Sequence, residues 1–189
     1  MPGLLEVCGG EEALLKLKKN GKIRAIGVSN VEAWQLEEYL KYGSIDSDQE
    51  KYSILDREIE KELLPWCTLN GTSMLAYSPL SRGLLSGKIS PDRKFPQDDN
   101  RSGDERFSAK NIEETNKLIE KYLVPLAIKH QVSIENIVIA YLLKNSSVIA
   151  LCGARNAEQA QKNVFAADIL LDSQDLEVIN NFILDYHGK

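Results

Sequence analysis

Cysteine and histidine are scarce in this 189-residue chain, three of the one and two of the other. Cys8, Cys67 and Cys152 stand far apart, at no zinc spacing and in no disulfide framework, so reduced thiols in a cytoplasmic setting are expected. Cys152, near a strand end, reads as a small buried apolar residue rather than a nucleophile. His130 and His187 have no Cys, Asp or Glu at ligand spacing, so metal chemistry is not expected and both read as solvated or capping residues. No apolar run approaches the roughly 20 residues that cross a bilayer, so no membrane span is expected. Met1–Gly10 carries the acidic Glu6 and no basic n-region, unlike a secretory signal. Basic charge is short as well: 23 Lys and Arg against 28 Asp and Glu, net -5. That balance denies the chain the dominant basic patch that nucleic-acid binding requires.

What is present is a string of strand-then-helix units. After an N-terminal segment (residues 1–10), residues 11–189 read as one domain. Glu11–Asn20 has a helical pattern stopped by Asn20-Gly21. Ile23–Val28 is apolar and β-branched, as a buried strand is. Ser29-Asn30-Val31-Glu32 has the form of a capping box and opens a helix to about Tyr42, stopped by Gly43. A second strand around Ile45–Tyr52 leads to Asp56, an expected N-cap, and a helix to Asn70-Gly71 with Pro65 kinking it or setting its first turns. Ser73–Tyr77 is the third strand. Ser78–Lys110 is a long loop rich in Gly, Pro, Ser, Asp and Arg, and loops that long in a compact domain are functional or disordered. An extra helix over Asn111–Gln131 follows, then the most apolar helix, opened by Ser133. Val148–Cys152 is the fourth strand. Asn156 caps a helix expected to turn Val164 and Phe165 inward, and a last amphipathic helix from near Ser173 carries Leu176, Ile179, Phe182 and Ile183. Alternating strands and helices predict a parallel sheet with helical cover. Four strands leave two options, a small open sheet or half of a closed (β/α) barrel, which needs eight strands and about 250 residues.

Four motifs bear on that choice. They are Gly21-Lys22-Ile23-Arg24-Ala25-Ile26-Gly27-Val28-Ser29-Asn30; Gln49 with Tyr52 and Leu55-Asp56-Arg57-Glu58; Ala76-Tyr77-Ser78-Pro79-Leu80-Ser81-Arg82-Gly83-Leu84-Leu85-Ser86-Gly87-Lys88; and Gly153-Ala154-Arg155-Asn156 with Gln159 and Asn163. Each follows a predicted strand, where a barrel of this kind builds its active site. In order and separation they resemble the C-terminal half of the aldo-keto reductase family, from about Glu11 to Phe182. The fold so implied is α/β, a partial (β/α)8 TIM barrel of about four parallel strands with helices, plus a C-terminal helix.

The resemblance implies an NADP(H) site. Ser29 and Asn30 are implied to hold the nicotinamide amide with Gln49, although Ser29 alone reads equally well as a helix cap. Tyr77 is implied to stack on the nicotinamide ring, and Ser78, Leu80 and Ser81 to wrap the pyrophosphate. Lys88 is a solvated loop lysine or an anion contact. Gly153 and Ala154 lie where a helix N-terminus offers backbone N–H groups to an anion. Arg155 adds a planar cation suited to bidentate phosphate contact. By resemblance it grips the adenosine 2′-phosphate, which favours NADP(H) over NAD(H). Gln159 and Asn163 share a helix face toward the same place. Lys162 departs from the acidic residue common in the family and either adds phosphate attraction or is solvated.

The family's proton-donating tyrosine, with its lysine, aspartate and histidine, sits on the other half of the barrel, and Met1–Gly21 supplies none of them. Tyr39, Tyr42, Tyr52, Tyr122, Tyr141 and Tyr186 have no Lys–Asp–His company visible in sequence, so no catalytic residue is assigned. Three readings stay open: a truncated or split oxidoreductase that reduces a small carbonyl substrate only when completed, a non-catalytic NADP(H)-binding or regulatory subunit, and a half-barrel that pairs with itself. Open sheet edges and an apolar inner face lead one to expect self-association.

Overall fold

The computed structural model describes residues 4–188, with side chains from Glu12 onward; the Cys8 thiol lies outside the described residues. Four strands, β1 (Gly27–Ser29), β2 (Ser47–Lys51), β3 (Ser73–Tyr77) and β4 (Val148–Ala150), form one parallel sheet in the order β1-β2-β3-β4. The register aligns Ser29 with Gln49 and Lys51 with Tyr77, so the carboxyl ends of the strands share one rim. Among the described residues there are eight α-helices: α1 (Leu4–Lys19), α2 (Ala33–Leu40), α3 (Leu63–Asn70), α4 (Ala109–Leu118), α5 (Val124–His130), α6 (Ile134–Leu143), α7 (Ala157–Phe165) and α8 (Ser173–His187). The sheet is open, with β1 and β4 at its edges.

The outer strands are shorter than the apolar pattern predicts. The ladder of β1 begins at Gly27 rather than Ile23, because an edge strand pairs only where its one neighbour runs beside it and β2 begins at Ser47. Just before it, the Asp46 carboxylate takes the Ile26 N–H at 2.7 Å. At the far edge β4 stops at Ala150, and Leu151 N–H makes one further bond to Ala76 O. Helix α1 starts at Leu4, ahead of the expected Glu11.

Both Asn-Gly stops hold: Gly21 and Gly71 sit at φ 67° and 68°, the left-handed region where a side chain is penalised. Pro65 lies in the first turn of α3, where its missing N–H costs nothing. Two expected caps do not form. Ser29 ends β1, and the box that opens α2 is Glu32 with Gln35. Asp56 bridges to Ser53 in a turn, and α3 begins only after a 3-10 turn at Glu58–Glu60. Ser133 with Asn136 and Asn156 with Gln159 cap α6 and α7 as expected. The extra helix is α4 and α5 joined by a π turn at Ile119–Leu123, where Pro125 cannot donate the bond to the carbonyl four residues back.

The core lies between the helices and the outer face of the sheet. Leu36, Ile54, Met74, Leu84, Ile112, Ile137, Leu142 and Phe182 are all fully buried. Helix α6 is buried from Asn136 to Leu142, the environment that its unbroken apolar run requires. Among the described residues no single helix is long and apolar enough to cross a membrane. Helix α7 buries nothing: Val164 and Phe165, expected to point inward, are 70% and 58% exposed, since no element lies against that side.

The inner face differs from expectation too. Period-2 alternation puts Asp48, Glu50, Met74, Ala76 and Val148 against the helices. It leaves Ser29, Ser47, Gln49, Lys51, Ser73, Leu75, Tyr77 and Ile149 on the open side. That surface is mostly polar, not the large apolar one foreseen.

Candidate functional site

Four of the sequence-nominated residues meet in one hydrogen-bonded chain at the rim. Tyr77 Oη donates to Asn30 Oδ1 at 2.8 Å, Asn30 Nδ2 donates to Ser29 Oγ at 2.9 Å, and Ser29 Oγ donates to Gln49 O at 2.8 Å. Asn30 N–H also reaches Gln49 O at 3.2 Å. Asn30 holds φ 53°, a conformation that Asn tolerates better than most residues. The chain crosses β1, β2 and β3, so sheet register sets the spacing of these groups. The Gln49 carboxamide makes no hydrogen bond among the described residues and faces the open side.

The next segment is held differently. Ser78 and Ser81 take φ 55° and 46°. Leu80 is half-buried against the core. Ser81 is buried, its hydroxyl 2.9 Å from that of Ser53, so its side chain is turned inward. Beyond it, Lys88 is ion-paired with Glu135. The long loop is folded on itself rather than loose. Arg82 bonds Asn100 O and Asp104 and covers the Phe107 ring at 4.9 Å, while Arg101 covers Phe95 at 4.5 Å.

Past β4, Gly153, Ala154 and Arg155 are exposed and lead into the nine-residue α7. Two nominated side chains shape this turn: Gln159 Oε1 accepts the Arg155 N–H at 2.8 Å, and Asn163 Nδ2 donates to Gly153 O at 3.3 Å. The Arg155 guanidinium has no carboxylate or carbonyl partner among the described residues. Lys162 is engaged with Glu158 at 2.6 Å. A cleft of about 740 Å³ opens on the other side of the rim, near Asn30, Lys51, Asp56, Arg57 and Arg106. Its cations are already ion-paired, Lys51 and Arg106 sharing Asp56, Arg57 with Glu60 and Lys61 with Glu58. An unpaired cation for a phosphate is therefore at Arg155 rather than in the cleft. The free Gln49 amide, the Tyr77 ring and the unpaired Arg155 before a helix N-terminus lie along one rim and give it a hydrogen-bonding amide, an aromatic face and a cation.

Structure also shows what sequence did not. Tyr122 Oη donates to Asp185 at 2.6 Å, and Lys121 reaches the same carboxylate at 3.0 Å. This Tyr–Asp–Lys group bridges the π turn and α8 on the outer helices, through contacts 63 residues apart that no local spacing announces. His130 is half-buried on Asp175 at 2.8 Å, not solvated. Burial pushes the Cys67 thiol up to about 12 and raises that of Cys152, so neither is an activated nucleophile. No group of three or more metal-ligating side chains occurs among the described residues.

The chain is 42% identical over 163 residues to the NADH-specific methylglyoxal reductase of Escherichia coli, covering 86% of this chain and 49% of that protein. It is 30% identical to the aldo-keto reductase YhdN of Bacillus subtilis, over 91% of this chain and 52% of the relative. The glycerol dehydrogenase AKR11B4 from Gluconobacter oxydans matches in structure with a TM-score of 0.88 at 30% identity, over 97% of this chain and 56% of that one. An aldo/keto reductase from Klebsiella pneumoniae, solved with NADP and acetate, shares the fold with a TM-score of 0.69 at 24% identity, over 96% of this chain and 56% of that one. This chain thus spans about half the length of the relatives it matches. With the Aldo/keto reductase family model matching residues 4–183, the chain belongs to the aldo/keto reductase family.

Proposed function

We propose that this chain is the cofactor-holding half of an NADP(H)-dependent carbonyl or alcohol oxidoreductase, inactive until a second half-barrel meets its open edges. The observation that carries the reading is the rim itself, with the Tyr77–Asn30–Ser29–Gln49 chain at one end and an unpaired Arg155 at the other. Tyr77, Asn30, Ser29 and Gln49 would hold the nicotinamide end. Ser78, Leu80 and Ser81 would pass the pyrophosphate. Gly153, Ala154 and Arg155, with Gln159 and Asn163 fixing their turn, would hold the adenosine phosphate. The dinucleotide, when bound, supplies the hydride. The chain's residues bind and orient it and leave a carbonyl oxygen without a proton donor. Unpaired Cys67 and Cys152 accord with a reducing, cytoplasmic setting.

Calorimetric titration of the purified chain with NADPH and NADH tests this. NADPH should bind more tightly, and Arg155→Ala should cost it on the order of 1.5–3 kcal/mol while leaving NADH unchanged. Turnover of an aldehyde panel should be absent and should appear when the complementary half is supplied, since general acid catalysis is worth about 10²–10⁴-fold. Equal affinity for the two dinucleotides would refute the NADP(H) assignment, which the name of the E. coli relative makes a live contest. Robust turnover by the chain alone would refute the division of labour.

A further inference from the structure

The strained loop that leaves β3 is held from below by a group outside the Tyr77–Asn30–Ser29–Gln49 chain. Ser78, Ser81 and Arg82 all sit at positive φ, between 46° and 56°. Non-glycine residues stay in that region only where their surroundings over-determine them. The surroundings here converge on one carboxylate. Asp56 Oδ2 accepts the Ser53 hydroxyl at 2.9 Å, Arg106 Nη1 at 3.0 Å and the Ser81 hydroxyl at 3.4 Å. Asp56 Oδ1 accepts Lys51 Nζ and Arg106 Nη2, each at 2.8 Å. Ser53 Oγ, 2.9 Å from Ser81 Oγ, also accepts the N–H groups of Leu55 and Asp56. Ser81 lies at the start of the long loop and Arg106 at its end, so both feet of the loop stand on Asp56, whose side chain is 11% exposed.

We infer that Asp56 is a positioning residue for the dinucleotide: it fixes the Ser78–Ser81 backbone where the pyrophosphate would pass, without touching the cofactor. This rests on the cofactor reading above. Burial alone would raise the Asp56 carboxyl, but the bonds from Arg106 and Lys51 overcome it and hold the group down at about 2. The tether therefore stays charged throughout the neutral range. Lys51, on the last residue of β2, joins the same carboxylate to the sheet rim, so loop and rim share one anchor.

The test compares the unmutated chain with Asp56→Asn in three measurements: tryptic cleavage at Arg82, Arg93 and Arg101, affinity for NADPH, and affinity for 2′-AMP, which reaches the Arg155 end but not the pyrophosphate loop. A positioning role predicts faster loop cleavage, NADPH binding weaker by about tenfold, and 2′-AMP binding within about twofold of the original. Asp56→Glu, which keeps the charge, should recover part of the NADPH affinity. Equal loss of both ligands would mean a general structural defect and would overturn the inference, as would unchanged cleavage and NADPH affinity. Should the unmutated chain bind neither nucleotide, the cofactor reading falls; the cleavage rates then decide the tether alone, and equal rates overturn it. Arg106→Gln, which releases only the far foot of the loop, is the second variant if Asp56→Asn does not fold, and it carries the same expectations.

Discussion

Asp48 is an acid in an apolar place. It is fully buried on the helix side of β2, and neither carboxylate oxygen has a hydrogen-bond partner among the described residues. Glu50, on the same face of the strand, spends its own carboxylate on the Val31 N–H at 2.8 Å. Burial first, and then the charge of Glu50, lift Asp48 to about 7. Its folded value thus lies above its unfolded one, so the folded chain keeps a proton that the unfolded chain releases. The stability tied to that proton is fully present below about pH 4 and is lost as pH rises through 7. Melting temperature should therefore fall between pH 5 and 8, and Asp48→Asn should flatten the slope and raise the pH 8 value by about 2–4 °C. An unchanged slope would show that Asp48 is not the group responsible. The sequence did not announce this residue. Ser47–Lys51, within the strand expected around Ile45–Tyr52, reads Ser-Asp-Gln-Glu-Lys with no apolar face. Ser29, Asn30, Gln49 and Tyr77 were legible through motifs at or near the strand ends that resemble the family's. The hydroxyl–amide chain among them was not, since it depends on register.

Helices α7 and α8 follow one another along the chain and differ in what they bury. Helix α8 is capped by Asp172, fully buries Ile179 and Phe182, and fixes its first turn through Asp175, which takes Lys129 at 2.7 Å and His130 at 2.8 Å from the end of α5. Phe182 also meets Tyr122 edge-on at 6.5 Å. Truncating Phe182→Ala should cost about 3–5 kcal/mol in urea unfolding. Val164→Ser and Phe165→Ser on α7 should each change stability by less than about 0.5 kcal/mol. Comparable losses at the two helices would mean that α7 is covered in solution. Periodicity gave both helices the same amphipathic signature, because it reports which side is apolar and not whether anything lies there. Edge strands were misjudged for a related reason: the apolar runs Ile23–Val28 and Val148–Cys152 extend beyond β1 and β4, whose ladders run only as far as one neighbour extends.

The molecule as a whole presents two unpaired strand edges, at Gly27–Ser29 and Val148–Ala150, flanked by exposed Leu14 and Leu17 of α1 and by Val164 of α7. Such edges invite another chain. Light scattering after size-exclusion chromatography should find the purified chain as a dimer or larger species at micromolar concentration, and a complementary half-barrel should displace that association. A stable monomer with a cooperative melt would show that the polar inner face and short edges suffice to keep the half-barrel apart. The fold class was legible because strand and helix signals alternate along the chain, whereas the polarity of the inner face follows from strand phase and needed the structure. Sheet order here equals chain order, each strand pairing with the one made just before it. A closed barrel must bring its last strand back to its first across the whole chain, the slow and entropically costly step of such topologies. Within residues 4–188 no such return is needed to form the four-stranded sheet, so these strands should add to one another in chain order.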